Sequence, residues 1–242
     1  MSWLERYVRG DHVQVWAEMT SLGGQVRAED STLAEATAVV TETMRRARQN
    51  VVILVDGLQA DGYRFEDPTG RPPFEPPPPD VTERLDHLEQ RTGPLPLALR
   101  GWIELVGRVN LVGSFPDEVY AYSDPLVVDA PLDYVLSEYE QWEQDRGTQW
   151  DQGMFAIEIA PDWLHKANVS GGAPYAIDVP ERGVDALLRW EPHQTTFVNY
   201  LRVAFRWAGF PGWDRGRLDG WAQPTSDPPN TIAHLRALLL LL

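Results

Sequence analysis

The sequence predicts an α+β fold, in which a mixed or antiparallel sheet is packed with helices and is preceded by a helical N-terminal segment. Apolar residues recur every three or four positions between residues 33 and 58, which is typical of an amphipathic helix. Apolar residues instead occupy every second position in 155–159 and 175–179, as in strands with one buried face. Because helix and strand patterns are mixed and do not alternate regularly, they favour α+β over a doubly wound parallel sheet.

The composition of the 242 residues is typical of a globular protein, with a large excess of acid. Hydrophobic residues make up 43% of the chain, which is long enough to bury a core without disulfides or a structural metal. The 36 Asp and Glu residues outnumber the 21 Lys and Arg residues, giving a formal net charge of -15. That charge repels a phosphate backbone, so nucleic acid is not expected as a ligand. Either solubility or attraction to a basic protein partner explains the charge.

The sequence contains no cysteine, and we expect neither a signal peptide nor a membrane span. The lack of cysteine excludes thiol nucleophiles, zinc–thiolate sites and iron–sulfur clusters. Residues 1–11 are charged and amphipathic and lack the apolar run and cleavage site of a secretory signal peptide. No apolar run approaches the roughly 20 residues that a membrane span needs. We therefore expect a cytoplasmic protein with no membrane partner.

The first 66 residues are predicted to form the helical N-terminal segment. Residues 3–22 carry an apolar stripe interrupted at Gly10-Asp11, which indicates two short helices or one broken helix. The long helix that follows should end at Gly62, and extended chain should begin at Tyr63.

Residues 67–80 are predicted to be a proline-rich linker or a stiff surface strap. Seven of these 14 residues are proline, which has a fixed φ and no N–H donor, so neither helix nor sheet is expected. A spacer is one role for such a segment, and a polyproline ligand for an aromatic groove is the alternative.

Residues 81–222 are predicted to form the α+β domain, and residues 223–242 a C-terminal tail or helix that packs on the body. Apolar spacing predicts helices at 81–90, 97–106, 132–143 and 195–207, and strands at 109–111, 126–128, 155–159, 175–179 and 187–190. Trp102, Trp190 and Trp207 are expected in the core.

A polar loop, residues 161–172, joins the two strands with the clearest alternation. Its candidate site residues are Asp162, His165, Lys166, Asn168 and Ser170, followed by Gly171-Gly172. Asp162 and His165 could supply a base and an oriented imidazole, Lys166 an anion-stabilising cation, and His193 a distant partner. The alternative is structural, because such side chains satisfy a loop's own backbone and glycine permits a positive φ.

The interval 117–151 combines ten acidic residues with a single basic one, Arg146, and with several aromatic residues. A solvated surface and a carboxylate metal site are two interpretations, although the spacing matches no calcium-binding loop. The third is a recognition face, because carboxylates steer a basic partner and aromatic rings anchor it. The predicted partner-binding residues are Asp117, Glu118, Tyr120, Tyr122, Glu138, Glu140, Trp142 and Glu143.

Strong catalytic motifs are not found in the sequence. It contains no phosphate-binding loop, dinucleotide fingerprint, nucleophile elbow or zinc-protease motif, and none of its five histidines lies three or four residues from another. We therefore predict no enzyme, cofactor or metal. The alternative hypothesis is a small hydrolase or metal-dependent enzyme that uses Asp162, His165 and His193.

Several segments, taken in order, resemble bacterial proteins of the SUKH superfamily. They are LPLALRGWIELVGRVNLVGS at 95–114, DPLVV at 124–128, FAIEIAPD at 155–162, PYAIDVP at 174–180 and TFVNYLRVAFRWAGFPG at 196–212. The resemblance covers about residues 93–213 and implies an α+β domain. Many members are immunity proteins that neutralise secreted toxins, often nucleases, and they are not known as enzymes. The resemblance thus implies stoichiometric capture of a basic, nuclease-like toxin. A third hypothesis is a homo-oligomer in which the N-terminal helices pack on a second copy.

Overall fold

A computed structural model of the chain describes residues 1–116, 122–150, 153–214 and 227–242. Helices alternate irregularly with short antiparallel strands in these ranges, so the predicted α+β class is confirmed. Within the same ranges, none of the helices combines the length and the apolar character that crossing a membrane would require.

The N-terminal segment consists of two short helices packed on a long one. The break at Gly10, which has a φ of 105°, separates the short helices, as predicted. Trp16 is buried and donates a hydrogen bond from Nε1 to Thr43 Oγ1 of the long helix at 3.1 Å. The long helix gives way to a turn at Gly62, which has a φ of 88°. The three helices are α1 (Trp3–Val8), α2 (His12–Ser21) and α3 (Asp30–Ala60).

The proline-rich segment joins a sheet, so the prediction that it contains no strand was wrong. Phe74 and Glu75 are not prolines, and Phe74 pairs with Val109 of a strand that continues the sheet. Prolines on both sides confine the pairing to two residues at the sheet edge. The sheet contains β2 (Phe74–Glu75), β3 (Arg108–Asn110) and β5 (Val127–Val128), and beside it β1 (Arg64–Phe65) pairs with β4 (Gly113–Ser114).

Three helices follow the predicted positions in the middle of the chain. They are α4 (Val81–Thr92), α5 (Leu97–Leu105) and α6 (Leu132–Asp145). Gly107, with a φ of 94°, lies after α5, and α6 buries Leu132, Val135 and Tyr139 as its apolar spacing predicts.

The two alternating segments form the longest strand pair. They are β6 (Phe155–Ala160) and β7 (Tyr175–Val179), which pair antiparallel with Ile157 opposite Ile177. The loop between them is not wholly irregular, because it contains the single-turn helix α7 (Trp163–Lys166). The strand predicted at 187–190 is reduced to isolated bridges. The remaining helices are α8 (Phe197–Arg206) and α9 (Asn230–Arg236).

The core is one continuous hydrophobic cluster to which both the N-terminal helices and the α+β part contribute. Trp102 is fully buried and Trp207 packs against the cluster, as predicted. The prediction for Trp190 was wrong, because 62% of its surface is exposed. Its φ of 63° turns the chain at this point and interrupts the strand pattern that would have placed it inward.

Candidate functional site

A groove of about 340 Å³ lies between α6 and the β6–β7 pair. Its α6 wall is formed by side chains four residues apart, which share one face of a helix. Its other walls come from β6, from β7 and from the turn after Arg189. We call it the α6 groove and define it by nine of its lining residues: Tyr134, Glu138, Trp142, Asp145, Trp150, Met154, Glu158, Arg189 and Trp190.

Large apolar side chains around the α6 groove are unusually exposed. Trp150 and Trp190 expose 67% and 62% of their surface, and Tyr134 and Met154 expose 53% and 55%. A concentration of exposed apolar side chains in one concave region marks an interaction site on a protein surface.

Carboxylates dominate the charge of the α6 groove. Arg189 is paired with Asp178 at 2.8 Å, whereas Glu138 and Glu158 form no ion pair within the described ranges. Burial raises the pKa of Glu158, and the nearby carboxylate of Glu138 raises it further. The two carboxylates therefore repel each other, and a cation close to both would be attracted by both.

Trp142 shows that an aromatic ring of this region accepts a cation. The guanidinium of Arg146 lies 5.1 Å from the centre of the Trp142 ring, within the range of a cation–π contact. The ring is held in place by a hydrogen bond from Nε1 to the carbonyl oxygen of Gly153 at 3.0 Å. A fixed, partly buried aromatic ring that already contacts Arg146 thus stands beside the carboxylates of the groove.

Only some of the predicted partner-binding residues lie in the α6 groove. Glu138 and Trp142 line the α6 groove, because they lie four residues apart on α6. Glu140 and Glu143 project from another face of the helix and pair with Arg91 of α4 at 3.4 and 3.1 Å.

The remaining predicted partner-binding residues lie before α6. The Tyr122 ring packs on Trp163, with ring centres 5.3 Å apart, and is not among the groove-lining residues. Asp117, Glu118 and Tyr120 lie outside the described residues.

Seven of the nine groove residues were not predicted as site residues. The alternation of β6 places Glu158 on the face opposite the buried Ile157 and Ile159, so the pattern contained a signal for it. Trp150 belongs to the acidic and aromatic interval 117–151, which is a signal for it, whereas no comparable signal marks Met154 or Trp190. The positions of those two residues depend on contacts between distant segments.

In the polar loop, Asp162 caps α7. Its Oδ1 accepts hydrogen bonds from the backbone N–H groups of Leu164 at 2.8 Å and His165 at 3.3 Å, and its Oδ2 accepts one from the His165 ring. A Cβ at Gly172 would lie 2.5 Å from Asp162 Oδ1, so glycine is required for this close approach. The structural interpretation therefore accounts for Asp162.

Other members of the polar loop point in different directions. Asn168 and Ser170 are exposed, and Asn168 has a φ of 58°. Lys166 was predicted to be available to an anion in the loop, but its side chain is buried. Its Nζ donates a hydrogen bond to Asp124 Oδ1 at 2.6 Å.

A second buried pair joins His193 to Glu191. The His193 ring donates from Nδ1 to Glu191 Oε1, and both side chains are almost completely buried. Burial lowers the pKa of His193, but the hydrogen bond and charge of Glu191 together with the charges of Asp124 and Asp214 outweigh it, so the net change is upward. Among the described residues, neither His193 Nε2 nor Glu191 Oε2 has a hydrogen-bond partner.

The residues of the hydrolase hypothesis belong to two separate carboxylate–imidazole pairs, Asp162 with His165 and Glu191 with His193. The first is at the surface, with half of the His165 side chain exposed, and the second is in the interior. In the part of the chain that the structure describes, no three His, Asp or Glu side chains form a group suited to a metal ion.

The chain was compared with protein-family models, with curated proteins and with solved structures, and none of the three comparisons gave a match.

Proposed function

We propose that the protein is a non-enzymatic binding protein that captures a basic protein partner in the α6 groove. One observation carries the proposal: Glu138 and Glu158 form no ion pair within the described part of the chain and lie among exposed aromatic side chains of one groove. A partner segment that fits this surface carries Lys or Arg together with apolar side chains.

The charges and the rings have different roles in this proposal. The net charge of -15 accelerates the approach of a cationic partner over a distance, and this effect weakens as salt screens it. The exposed aromatic side chains then slow dissociation, because one aromatic anchor buried at an interface can contribute about 2 kcal/mol or more.

The resemblance to SUKH proteins supplies the class of partner in our proposal. A nuclease that grips nucleic acid presents a basic surface, which suits the acidic groove. We therefore propose an immunity protein that neutralises a nuclease-like toxin by stoichiometric binding. The hydrolase hypothesis has less support, because its two imidazoles lie in different pairs.

The test of this proposal is neutralisation of a toxin encoded beside the gene. Each neighbouring gene of the native host would be expressed with and without this chain, and cell survival would be scored. We expect one neighbour to be toxic alone and harmless with the chain. Unchanged survival with every neighbour would contradict the immunity function.

The groove itself is tested by association kinetics with the purified toxin. Glu138→Lys should slow association at least about tenfold at low salt and flatten its salt dependence. Glu140→Lys is the matched control, because it changes the same charge on the same helix at a residue that pairs with Arg91 away from the groove. Equal effects of the two substitutions would mean that the toxin does not bind in the α6 groove.

A further inference from the structure

The position of Trp190 in the α6 groove depends on a strained turn. Arg189 is fixed to β7 by a hydrogen bond from its N–H to the Ala176 carbonyl at 2.8 Å. One residue later the chain has a φ of 63° at Trp190, and Gln194 has a φ of 51°. A positive φ is unfavourable for a bulky residue and persists only where surrounding contacts hold the backbone.

The contacts after Trp190 come from the buried pair of Glu191 and His193. The turn closes with a hydrogen bond from Gln194 N–H to the Glu191 carbonyl at 3.0 Å. The Glu191 and His193 side chains, only 0% and 1% exposed, anchor this turn in the interior. The wall of the groove at Trp190 is thus held between β7 on one side and the buried carboxylate–imidazole pair of Glu191 and His193 on the other.

The surroundings of the pair contain further ionisable groups from several elements. Asp124 and Asp214 both raise the pKa of His193, and burial keeps the Tyr175 and Tyr200 hydroxyls neutral by raising their pKa values. The groups around the pair are Asp124 before β5, Lys166 of α7, Tyr175 of β7, Tyr200 of α8 and Asp214 after residues 211–213.

The charges of this cluster balance only when His193 is protonated. Lys166 offsets Asp124, with which it forms an ion pair. Arg206 of α8 lies 3.7 Å from Asp214 and offsets it, and the imidazolium of His193 offsets Glu191. Loss of the His193 proton would leave the Glu191 carboxylate buried without a cation, which is a costly arrangement in a protein interior. Movement of the turn that carries Glu191 towards water would rehydrate this carboxylate.

We propose that the buried Glu191–His193 pair is a proton-dependent latch that holds Trp190 in the wall of the α6 groove. With His193 protonated, the turn is anchored and Trp190 is in place. With His193 neutral, the turn is released and the wall loosens. The effect on partner affinity rests on the proposed function, whereas the movement of Trp190 does not.

The direction of the pH effect follows from the raised pKa of His193. A histidine with a raised folded-state pKa contributes stability that is complete below its unfolded value of about 6.5 and is lost as pH rises through the folded value. The latch is therefore closed at acidic pH and opens on the alkaline side of 6.5.

The experiment is an NMR titration of the whole chain between pH 5.5 and 9, without a partner. Histidine rings and tryptophan indoles would be isotopically labelled. The Trp190 indole signal would be assigned by Trp190→Phe, and His193 by replacing each of the other four histidines. We expect the Trp190 signal to shift with the same midpoint as the His193 ring.

His193→Gln should abolish this shift, whereas His165→Gln, at the exposed pair with Asp162, should preserve it. A Trp190 signal that stays constant while His193 titrates overturns the latch, and so does an unchanged shift in His193→Gln. If His193→Gln does not fold, the latch is still tested in the unaltered chain by comparing the titration midpoint of the Trp190 signal with that of the His193 ring. Failure of toxin neutralisation would leave this result intact, so the two proposals fail separately.

Discussion

The ammonium group of Lys166 lies 2.6 Å from Oδ1 of Asp124, and neither side chain exposes more than 3% of its surface. The Tyr175 hydroxyl donates to the other carboxylate oxygen at 3.1 Å, and its ring lies 4.5 Å from the ammonium nitrogen. Asp124 thus receives two hydrogen bonds from residues on different elements. This joins the loop before β5 to α7 and β7.

Removing Lys166 alone should strongly destabilise the protein. Lys166→Met leaves the Asp124 carboxylate buried and without its cation, so we expect the free energy of unfolding to fall by about 3 to 5 kcal/mol. Denaturant unfolding monitored by tryptophan fluorescence would measure the change. The double substitution with Asp124→Asn should cost less than Lys166→Met alone, because the asparagine tolerates the φ of 50° and carries no charge. A double variant as unstable as the single one would contradict this explanation.

Asp185 should make stability decrease as pH rises. Burial raises its pKa to about 6, while the backbone N–H groups of Ala186 and Val198 donate to its carboxylate. The folded state therefore binds this proton more tightly than the unfolded chain, and the stability present at low pH is lost as pH increases from about 4 through 6.

The size of the Asp185 effect can be measured by comparing the unaltered chain with Asp185→Asn. The difference between their free energies of unfolding should change by about 2.5 kcal/mol between pH 4 and 7.5, because each pKa unit corresponds to about 1.4 kcal/mol and the unfolded carboxyl is already partly ionised at pH 4. Asparagine keeps an oxygen acceptor for the Val198 N–H but does not titrate. A difference that is independent of pH would show that Asp185 is not the titrating group.

Replacing Glu138 should lower the pKa of Glu158 across the α6 groove. Glu138→Gln removes the negative charge that adds to the effect of burial, so Glu158 will lose its proton at a lower pH. A carbon-detected NMR titration of the Glu158 carboxyl group would report this pKa. Glu140→Gln should leave it unchanged, since Glu140 pairs with Arg91 outside the groove. An equal fall of the Glu158 pKa in both variants would mean that the net charge of the protein, and not the position of Glu138, causes the effect.

Gly172 should tolerate alanine less well than Gly171. Both have a positive φ, 82° and 128°, but only at Gly172 would a Cβ lie within 3.0 Å of another side chain, that of Asp162. The shared φ strain costs of order 1 kcal/mol, and Gly172→Ala should cost more because it also displaces the carboxylate that caps α7. Thermal unfolding of the two variants is the measurement. Equal melting temperatures would show that the contact with Asp162 is unimportant.

Much of the secondary structure could be predicted from the sequence because it depends on local periodicity. The apolar spacing of α3 and the alternation of β6 and β7 reflect which face each element buries. The same regularity placed Glu138 and Trp142, four residues apart on α6, on one face. One exception was the proline-rich segment, where two residues between prolines supply pairing groups that the composition had excluded. Another was the strand predicted at 187–190, which is reduced to isolated bridges.

The sequence alone determined which side chains share a face of α6 and that Glu158 points outward, because both follow from the local period. It also excluded cysteine chemistry through residue type. The tertiary structure alone decided that Lys166 turns inward to Asp124, 42 residues away in sequence. It also decided that Trp190 turns outward to the groove. Burial of a charge requires a partner from elsewhere in the chain, and a positive φ requires neighbours that hold it. Neither condition can be found within a short segment.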